Sequence, residues 1–558
     1  MLFGLISLLG VNFLQLTIPR ILKNGIDSLS NGTAVEHDLL RLALLICVIG
    51  IAATLLRFCW RYLIIGFSRH LERDLRKNIF SHVMTMDGSF FSKYSTGSIM
   101  AHGANDLSAV QMACGMGLVA AIDALVMSVA AIAFMCNIHP GLTLFALLPM
   151  PILAISTRFL SGRLHHRFDR VQEQFSSMTE FARSSIASIR LLKSYTLEKS
   201  QSKRFARLGQ NYADSNIRVA IIQGLLFPIA TLVGSCGMLL VLYFGGRLVI
   251  SKTISMGDFV AFITYLYMLI WPMMAVGWVA NLSQRGVTSL RRIYLLLAEK
   301  SQLLPGKMDP LPDSSTFSLR NLSFTYPHSE RKILEDITLE ITPGILGITG
   351  PTGCGKTTLC QVLARSYPVA DKTLFLGKTD VNNISPKSVQ NLISYVSQEA
   401  LLFSSNLRDN IAFGNPDAPL DRIIQAAKAA AIHNEIVAFP EGYESMIGEK
   451  GVTLSGGQRA RVALARAILC DRPIIIIDDG MAAVDTGTEQ EIIENIAPWL
   501  EGKSVLWVSQ RIKQLARSDR VLVLEQGRIS DIGPYSELLQ RNTFLAEINR
   551  RQTLQGDA

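Results

Sequence analysis

At 558 residues the chain exceeds one ordinary domain, and about two to four are expected. It is 49% hydrophobic with a mean hydropathy of +0.30, which excludes a wholly water-soluble chain, and its long apolar runs stop near residue 285. The net charge of +9 does not signal nucleic acid: the basic residues gather between apolar runs, notably from Arg158 to Arg218, as in cytoplasmic loops of membrane proteins.

The chain opens without the charged start and small-residue cleavage site of a signal peptide. An apolar run from Leu2 to about Pro19 begins at once and reads as the first membrane helix. No amphipathic lead-in precedes it, so the chain is expected to start late or to be trimmed. Runs near the roughly 20 residues that cross a bilayer fall at about 2–21, 39–66, 115–137, 141–160, 221–249 and 257–281. Little more than Ile138-His139-Pro140-Gly141 separates the third from the fourth, a tight turn suited to the outer face. The second-to-third and fourth-to-fifth connections are long, polar and helical in pattern. An even number of spans returns the chain to its starting side, so these loops and everything after the sixth span share the cytoplasmic face.

Asp123, inside the third span, is costly to bury and is expected to face a water-filled cavity or to pair with Arg57 or Arg61. Those arginines can equally snorkel to an interface. The sixth span, from Tyr265 to Trp278, is rich in Met and aromatic residues. Such surfaces adapt to varied apolar ligands, and lipid-facing or helix-packing surfaces use the same residues. Eight scattered cysteines, among them Cys47, Cys59, Cys136 and Cys236 within apolar runs, show no disulfide or metal spacing. They read as buried reduced thiols.

Residues 298–316 carry Pro305, Pro310 and Pro312, end in a Ser-rich stretch, and read as a linker. From 317 to 558, short β-branched runs alternate with helical stretches, the pattern of an α/β core. The expected fold is multi-domain: an all-α six-helix transmembrane domain over 1–297, then an α/β P-loop domain over 317–558.

Gly350-Pro351-Thr352-Gly353-Cys354-Gly355-Lys356-Thr357 fits G-x-x-x-x-G-K-[ST], after an apolar strand and before the helical run that begins at Thr358. Its glycines turn backbone N–H groups onto phosphates, Lys356 reaches the β- and γ-phosphates, and the Thr357 hydroxyl binds Mg²⁺. The chain is therefore expected to take ATP and Mg²⁺. Downstream, Ile474 to Asp478 is a buried strand ending in a carboxylate that suits a Mg²⁺ site.

Between these motifs lies Leu454-Ser455-Gly456-Gly457-Gln458. With it the chain resembles the ABC transporter family across its whole soluble half. The resemblance implies that this signature lies at a helix N-terminus facing the γ-phosphate held by another subunit, and the helix dipole favours such an anion. It further implies that Tyr326 in Phe324-Thr-Tyr-Pro stacks on adenine. Gln398 in Tyr395-Val-Ser-Gln matches the glutamine that touches Mg²⁺ and senses the membrane half, so Thr357, Gln398 and Asp478 form the expected Mg²⁺ set. Asp485 matches the D-loop aspartate, although the usual Ser of that loop is Ala482. Gly448-Glu449-Lys450-Gly451 sits where exporters carry a cross-linking loop.

Two positions depart from the family. Asp479 stands where a Glu usually activates the attacking water, and Gln510 stands where a His usually contacts the γ-phosphate. Asp is shorter by one C–C bond, about 1.5 Å, and a general base must come within about 2.6–3.2 Å. Gln donates a hydrogen bond but cannot become cationic. This chain's own site is therefore expected to bind ATP and cleave it slowly, while its intact signature completes a partner's site.

Six spans followed by an ATPase domain resemble a type I exporter half-transporter. Phe91-x5-Gly97-x8-Asp106 resembles its first coupling region, and Ser185 to Arg190 through Tyr195-x2-Glu198 to Phe205 the second. Leu144 to Ile152 and Leu269 to Met273 resemble bacterial Mdl-type multidrug half-transporters, which pair as two different chains. The resemblance implies a bacterial inner-membrane exporter of amphipathic compounds or lipids, working as the catalytically degenerate half of a heterodimer. Two alternatives stay open: a homodimeric lipid or drug flippase with slow hydrolysis, and an ATP-gated channel or regulatory subunit.

Overall fold

The computed structural model describes residues 1–303, 306, 315–327, 329–448 and 454–556. Most of the expected linker, and Glu449, Lys450 and Gly451 ahead of the signature, lie outside the described residues. The chain divides into two compact units, Met1–Val83 with Gly97–Ala298, and Met84–Thr96 with Glu299–Ala558.

The first unit holds six helices long and apolar enough to cross a membrane: Leu2–Ser30, Glu36–Val83, Thr96–Ile138, Pro140–Ala187, Glu198–Ile250 and Met256–Ala298. They answer the six apolar runs one to one but outlast them, because hydropathy marks only the lipid-immersed part of each helix. Past the second run the chain stays helical through charge pairs at helical spacing, with Glu72 taking Arg69 at 3.0 Å and Arg76 at 2.7 Å. Pro19 does not end the first helix, which continues to Ser30; spanning helices tolerate proline where neighbours satisfy the freed backbone. Between the third and fourth helices the break is at His139, whose Nδ1 accepts the Leu142 N–H at 3.0 Å while Pro140 opens the next turn.

The unit's core gathers Leu16, Met135, Leu142, Phe262, Tyr265 and Leu269. The Tyr265 hydroxyl donates to the Leu16 carbonyl at 3.0 Å, so this buried phenol is satisfied. Gly286 lets the sixth helix approach the third, since a Cβ there would overlap that of Ala113. Asp106 ties the same two helices by accepting from Ser289 at 2.8 Å and pairing with Arg292, while His102 meets it from its own helix. On the second helix, Leu44, Val48, Ile51, Leu55, Phe58 and Tyr62 form an exposed stripe at helical spacing. Cys47, Cys59, Cys136 and Cys236 are exposed rather than buried as expected. Hydropathy recognises their apolar setting but cannot tell a face turned to lipid from one turned to the chain's interior.

In the second unit, an antiparallel sheet of order β2-β1-β4-β5 joins β1 (Phe317–Thr325), β2 (Lys332–Ile341), β4 (Leu374–Leu376) and β5 (Thr379–Asp380). A six-stranded sheet of order β10-β9-β3-β8-β7-β6 joins β3 (Gly344–Thr349), β6 (Ile393–Val396), β7 (Ile474–Asp478), β8 (Ser504–Val508), β9 (Arg520–Glu525) and β10 (Arg528–Gly533). Strands β9, β3, β8, β7 and β6 run parallel, and β7 and β8 are buried along their whole length. In a parallel sheet, ligands gather beyond the C-terminal strand ends. Here β3 leads into the phosphate loop, β7 ends at Asp478, and β8 leads into Ser509 and Gln510, with Asp478 level with Val508 across the pair. Residues Met84–Thr96 belong to this unit: the short helix Gly88–Lys93 donates the Gly88 N–H to the Ser366 carbonyl at 2.8 Å. Asp87 caps that helix and also accepts from Ser301 at 2.9 Å and from the Leu303 N–H at 3.1 Å.

Candidate nucleotide-binding site

Between β3 and the helix Lys356–Leu363, the loop closes only because two of its residues lack side chains. Gly350 has φ 149°, and a Cβ there would overlap the Leu524 carbonyl oxygen. Gly355 has φ 107°, with Leu334 2.9 Å from where a Cβ would sit. Among the described residues, the N–H groups of Gly353, Gly355, Lys356 and Thr357 donate to no protein acceptor. Lys356 is buried, and among the described residues its ammonium is held by the carbonyls of Gly350 at 2.8 Å and Pro351 at 3.0 Å, with the Cys354 sulfur at 3.7 Å. Unpaired donors at a helix start beside a buried cation without a carboxylate fit a polyphosphate.

Asp478 is 1% exposed and receives two neutral hydroxyls, Thr357 at 3.2 Å and Tyr395 at 3.1 Å. Burial pushes its carboxyl above the ordinary range, and the two hydroxyls oppose that shift. A buried carboxylate beside a threonine hydroxyl, with no cation paired to it among the described residues, fits a divalent metal such as Mg²⁺. A cleft of about 480 Å³ brings Gln398 to Thr357 and Asp478, with Gln361, Tyr395 and Ser397 also on its wall.

Asp479 and Gln510 share a different cleft, of about 380 Å³, with Gly350, Pro351 and Thr352. The Gln510 amide nitrogen is 3.5 Å from the Asp479 carboxylate, at the outer limit of a hydrogen bond. Asp479 itself has φ 52°, a left-handed conformation that Asp tolerates better than most residues. Burial raises its carboxyl above the ordinary range, and the Gln510 backbone, Lys356 and Arg511 partly offset this.

Tyr326 lies beside the phosphate-loop helix, with its hydroxyl 3.0 Å from that of Thr358 and donating to Gln361 at 3.1 Å. Its ring packs edge-on against Phe324 and Tyr367. Asp485 caps the helix Thr486–Leu500 by accepting the Thr488 N–H at 2.9 Å, which lowers its carboxyl pKa and commits that carboxylate to a structural contact. Ser455 caps the signature helix Gly456–Leu469 through a full capping box: Ser455 accepts the Gln458 N–H at 3.2 Å, and Gln458 accepts the Ser455 N–H at 2.8 Å. Gly457 allows that helix start to sit against the Ala483 carbonyl. None of Leu454, Ser455, Gly456, Gly457 and Gln458 lines either cleft.

Sequence reasoning missed three supports. Arg511 donates to the carbonyls of Val484 at 2.8 Å and Ala482 at 3.0 Å and pairs with the buried Glu489, clamping the turn after Asp479. Gln552 donates to the Gln510 carbonyl at 2.8 Å and accepts the Ile512 N–H at 3.0 Å. Tyr395 is the third. Its place in the same tetrapeptide as Gln398 was the available signal; the other two pairings span 22 and 42 residues and leave no local mark.

A family model described as ABC transporter transmembrane region matches residues 1–273, and one described as ABC transporter matches residues 334–482. The chain is 33% identical to the multidrug resistance-like ATP-binding protein MdlA of Escherichia coli (strain K12), covering 99% of this chain and 94% of that protein. It is 32% identical to the probable multidrug resistance ABC transporter ATP-binding/permease protein YheI of Bacillus subtilis (strain 168), covering 99% and 95%. It is 29% identical to the ATP-dependent lipid A-core flippase of Pseudomonas fluorescens (strain Pf0-1), covering 98% and 93%. Its fold matches that of a bacterial Atm1-family ABC exporter with ATP bound, at a TM-score of 0.82 and 24% identity over 98% of both chains. With six spanning helices ahead of the ATPase fold, it is a multi-pass inner-membrane protein with a cytoplasmic ATPase domain. The chain belongs to the ABC transporter family, as an exporter with its transmembrane and ATP-binding domains fused in one polypeptide.

Proposed function

We propose that this chain is the ATP-retaining half of a heterodimeric exporter of amphipathic compounds or lipids. The observation that carries the reading is the pairing of Asp479 with Gln510 beneath Gly350–Thr352, in a chain whose signature helix is fully capped. Gly353, Gly355, Lys356 and Thr357 bind the phosphates through N–H groups and one ammonium. Thr358 follows on the same helix beside Tyr326, which offers the only aromatic surface of the set to the base. Thr357, Asp478 and Gln398 hold Mg²⁺, which when bound neutralises charge on the phosphates. Asp479 fails to bring a base to the attacking water, and Gln510 fails to supply a cation to the γ-phosphate.

Two further observations support an obligate dimer. The signature stays outside the chain's own clefts. The short helix Ile189–Ser194 has no buried residue, and Ile186, Leu191 and Tyr195 around it are all more than half exposed. Such a segment suits docking on another chain's ATPase domain. A homodimeric lipid or drug flippase with two slow sites is the second reading; the likeness to an ATP-dependent lipid A-core flippase favours its lipid cargo. The test is photolabelling with 8-azido-ATP during turnover. The heterodimer reading expects ATP to stay on this chain and ADP to form on the partner. Equal ADP formation on both chains would overturn it.

A further inference from the structure

A cavity of about 390 Å³ lies within the membrane unit, lined by the first, third and sixth helices. That volume is in the range of about 300–1,000 Å³ usual for small-molecule sites. Its walls are apolar and polarizable, with Met127, Met268 and Trp271, and Trp271 is 60% exposed. Gln15 and Trp271 bring N–H donors to the wall, and its other polar groups are acceptors. Pro19 and Pro272 both line it, and each lacks the N–H that a helix would give to the residue four positions earlier. Those residues are Gln15 and Met268, which line the same cavity, so two backbone carbonyls are left without their helical partner. Thr264 spends its hydroxyl hydrogen on the Val260 carbonyl at 2.9 Å and keeps its lone pairs.

Asp123 is the one charged residue on this wall among the described residues. Arg57 lies within electrostatic range but forms no ion pair with it and does not line the cavity. Asn12, 1% exposed, sits beside Asp123 as a neutral amide within interaction range but short of strict hydrogen-bond geometry, so it does not neutralise the carboxylate's charge. A carboxylate is expensive at this depth and marks function when no partner neutralises it. One anion, two freed carbonyls and an indole face together suit a positive charge carried on an apolar body.

We propose that this cavity binds a lipophilic organic cation, with Asp123 as its counter-charge. The proposal rests on the exporter reading for its biological use but not for its test. Binding of tritiated tetraphenylphosphonium is measured without ATP, on the oligomer taken from its own membrane into lipid nanodiscs, with neutral triphenylphosphine oxide as the control ligand. Asp123→Asn is expected to weaken tetraphenylphosphonium about tenfold, the equivalent of about 1.4 kcal/mol, and to leave the neutral ligand unchanged. Asp123→Glu, which keeps the charge, is expected to keep the cation. Unchanged cation affinity in Asp123→Asn, or equal loss of both ligands, overturns the proposal. If Asp123→Asn does not fold, loss of the cation alone in Asp123→Glu overturns it as well. An Asp123-dependent site in a protein that moves no amphipathic compound into inside-out vesicles would sink the proposed cargo and keep the site. Export with Asp123-independent cation binding would do the reverse.

Discussion

Replacing Asp479 by Glu and Gln510 by His together should create a second competent ATPase site. The two positions share one cleft with Gly350–Thr352, and their side chains stand 3.5 Å apart, so they must be changed as a unit. Glu adds about 1.5 Å of reach, and a positioned base contributes about 10²–10⁴-fold to proton transfer. Asp479 holds φ 52°, so Glu there carries a strain of about 1 kcal/mol. In an ATPase domain of this size that lowers Tm by about 2–4 °C. Phosphate release then separates the two assemblies. In a heterodimer one fast site already turns over, so the gain stops at about twofold, the step from one competent site to two. In a homodimer both sites are restored and the gain is about a hundredfold or more. No change in turnover, with ATP still retained on this chain, would refute the assignment of the slow step to Asp479 and Gln510.

Ser455→Ala removes the capping box at the signature helix, at about 1 kcal/mol of helix stability, and is expected to stop most hydrolysis by damaging the partner's site; normal phosphate release would contradict action in trans. Lys356→Ala removes the buried ammonium held by Gly350 and Pro351 and should abolish ATP retention on this chain while the complex keeps some turnover, as read by nucleotide occupancy of each subunit. Gly88→Val places a Cβ 2.6 Å from the Ser366 carbonyl and 2.8 Å from the Tyr367 ring; substrate stimulation of the ATPase should fall while basal turnover persists, and intact stimulation would show that this contact carries no signal. Burial raises the Asp478 carboxyl above its unfolded value, so its protonated form favours the empty folded site. The stability gained there is fully present below the unfolded carboxyl range and is lost as pH rises through the raised folded value. Mg²⁺ needs the carboxylate, so calorimetry should find proton release on Mg²⁺–nucleotide binding and weaker binding as pH falls through that window; pH-independent binding would contradict a metal role for Asp478.

The phosphate loop was legible because its chemistry is local. Eight consecutive residues fix the turn, the donors and the helix start, and Gly350 and Gly355 adopt the backbone that only glycine suits. The six spans were legible in number and order, because a bilayer demands a minimum apolar length. Their ends were not, since Arg69, Glu72 and Arg76 keep the second helix going in water by pairing rather than by hydropathy. Which face meets lipid was hidden for the same reason, and Cys47 and Cys59 were misplaced by it. The clamp of Arg511 on Glu489 was out of reach because both residues look like ordinary surface charges until β8 and the helix Thr486–Leu500 are assembled. Asp485, matched to the D-loop aspartate, also caps the helix Thr486–Leu500, a contact that the motif does not announce.

The central claim is that this chain works with a different partner that supplies the chemistry lacking at Asp479 and Gln510. Native mass spectrometry of the tagged chain, taken from its own membrane, tests it most directly. The account predicts a one-to-one complex with a second half-transporter carrying Glu and His at the matching positions. A homodimer of this chain alone would contradict it.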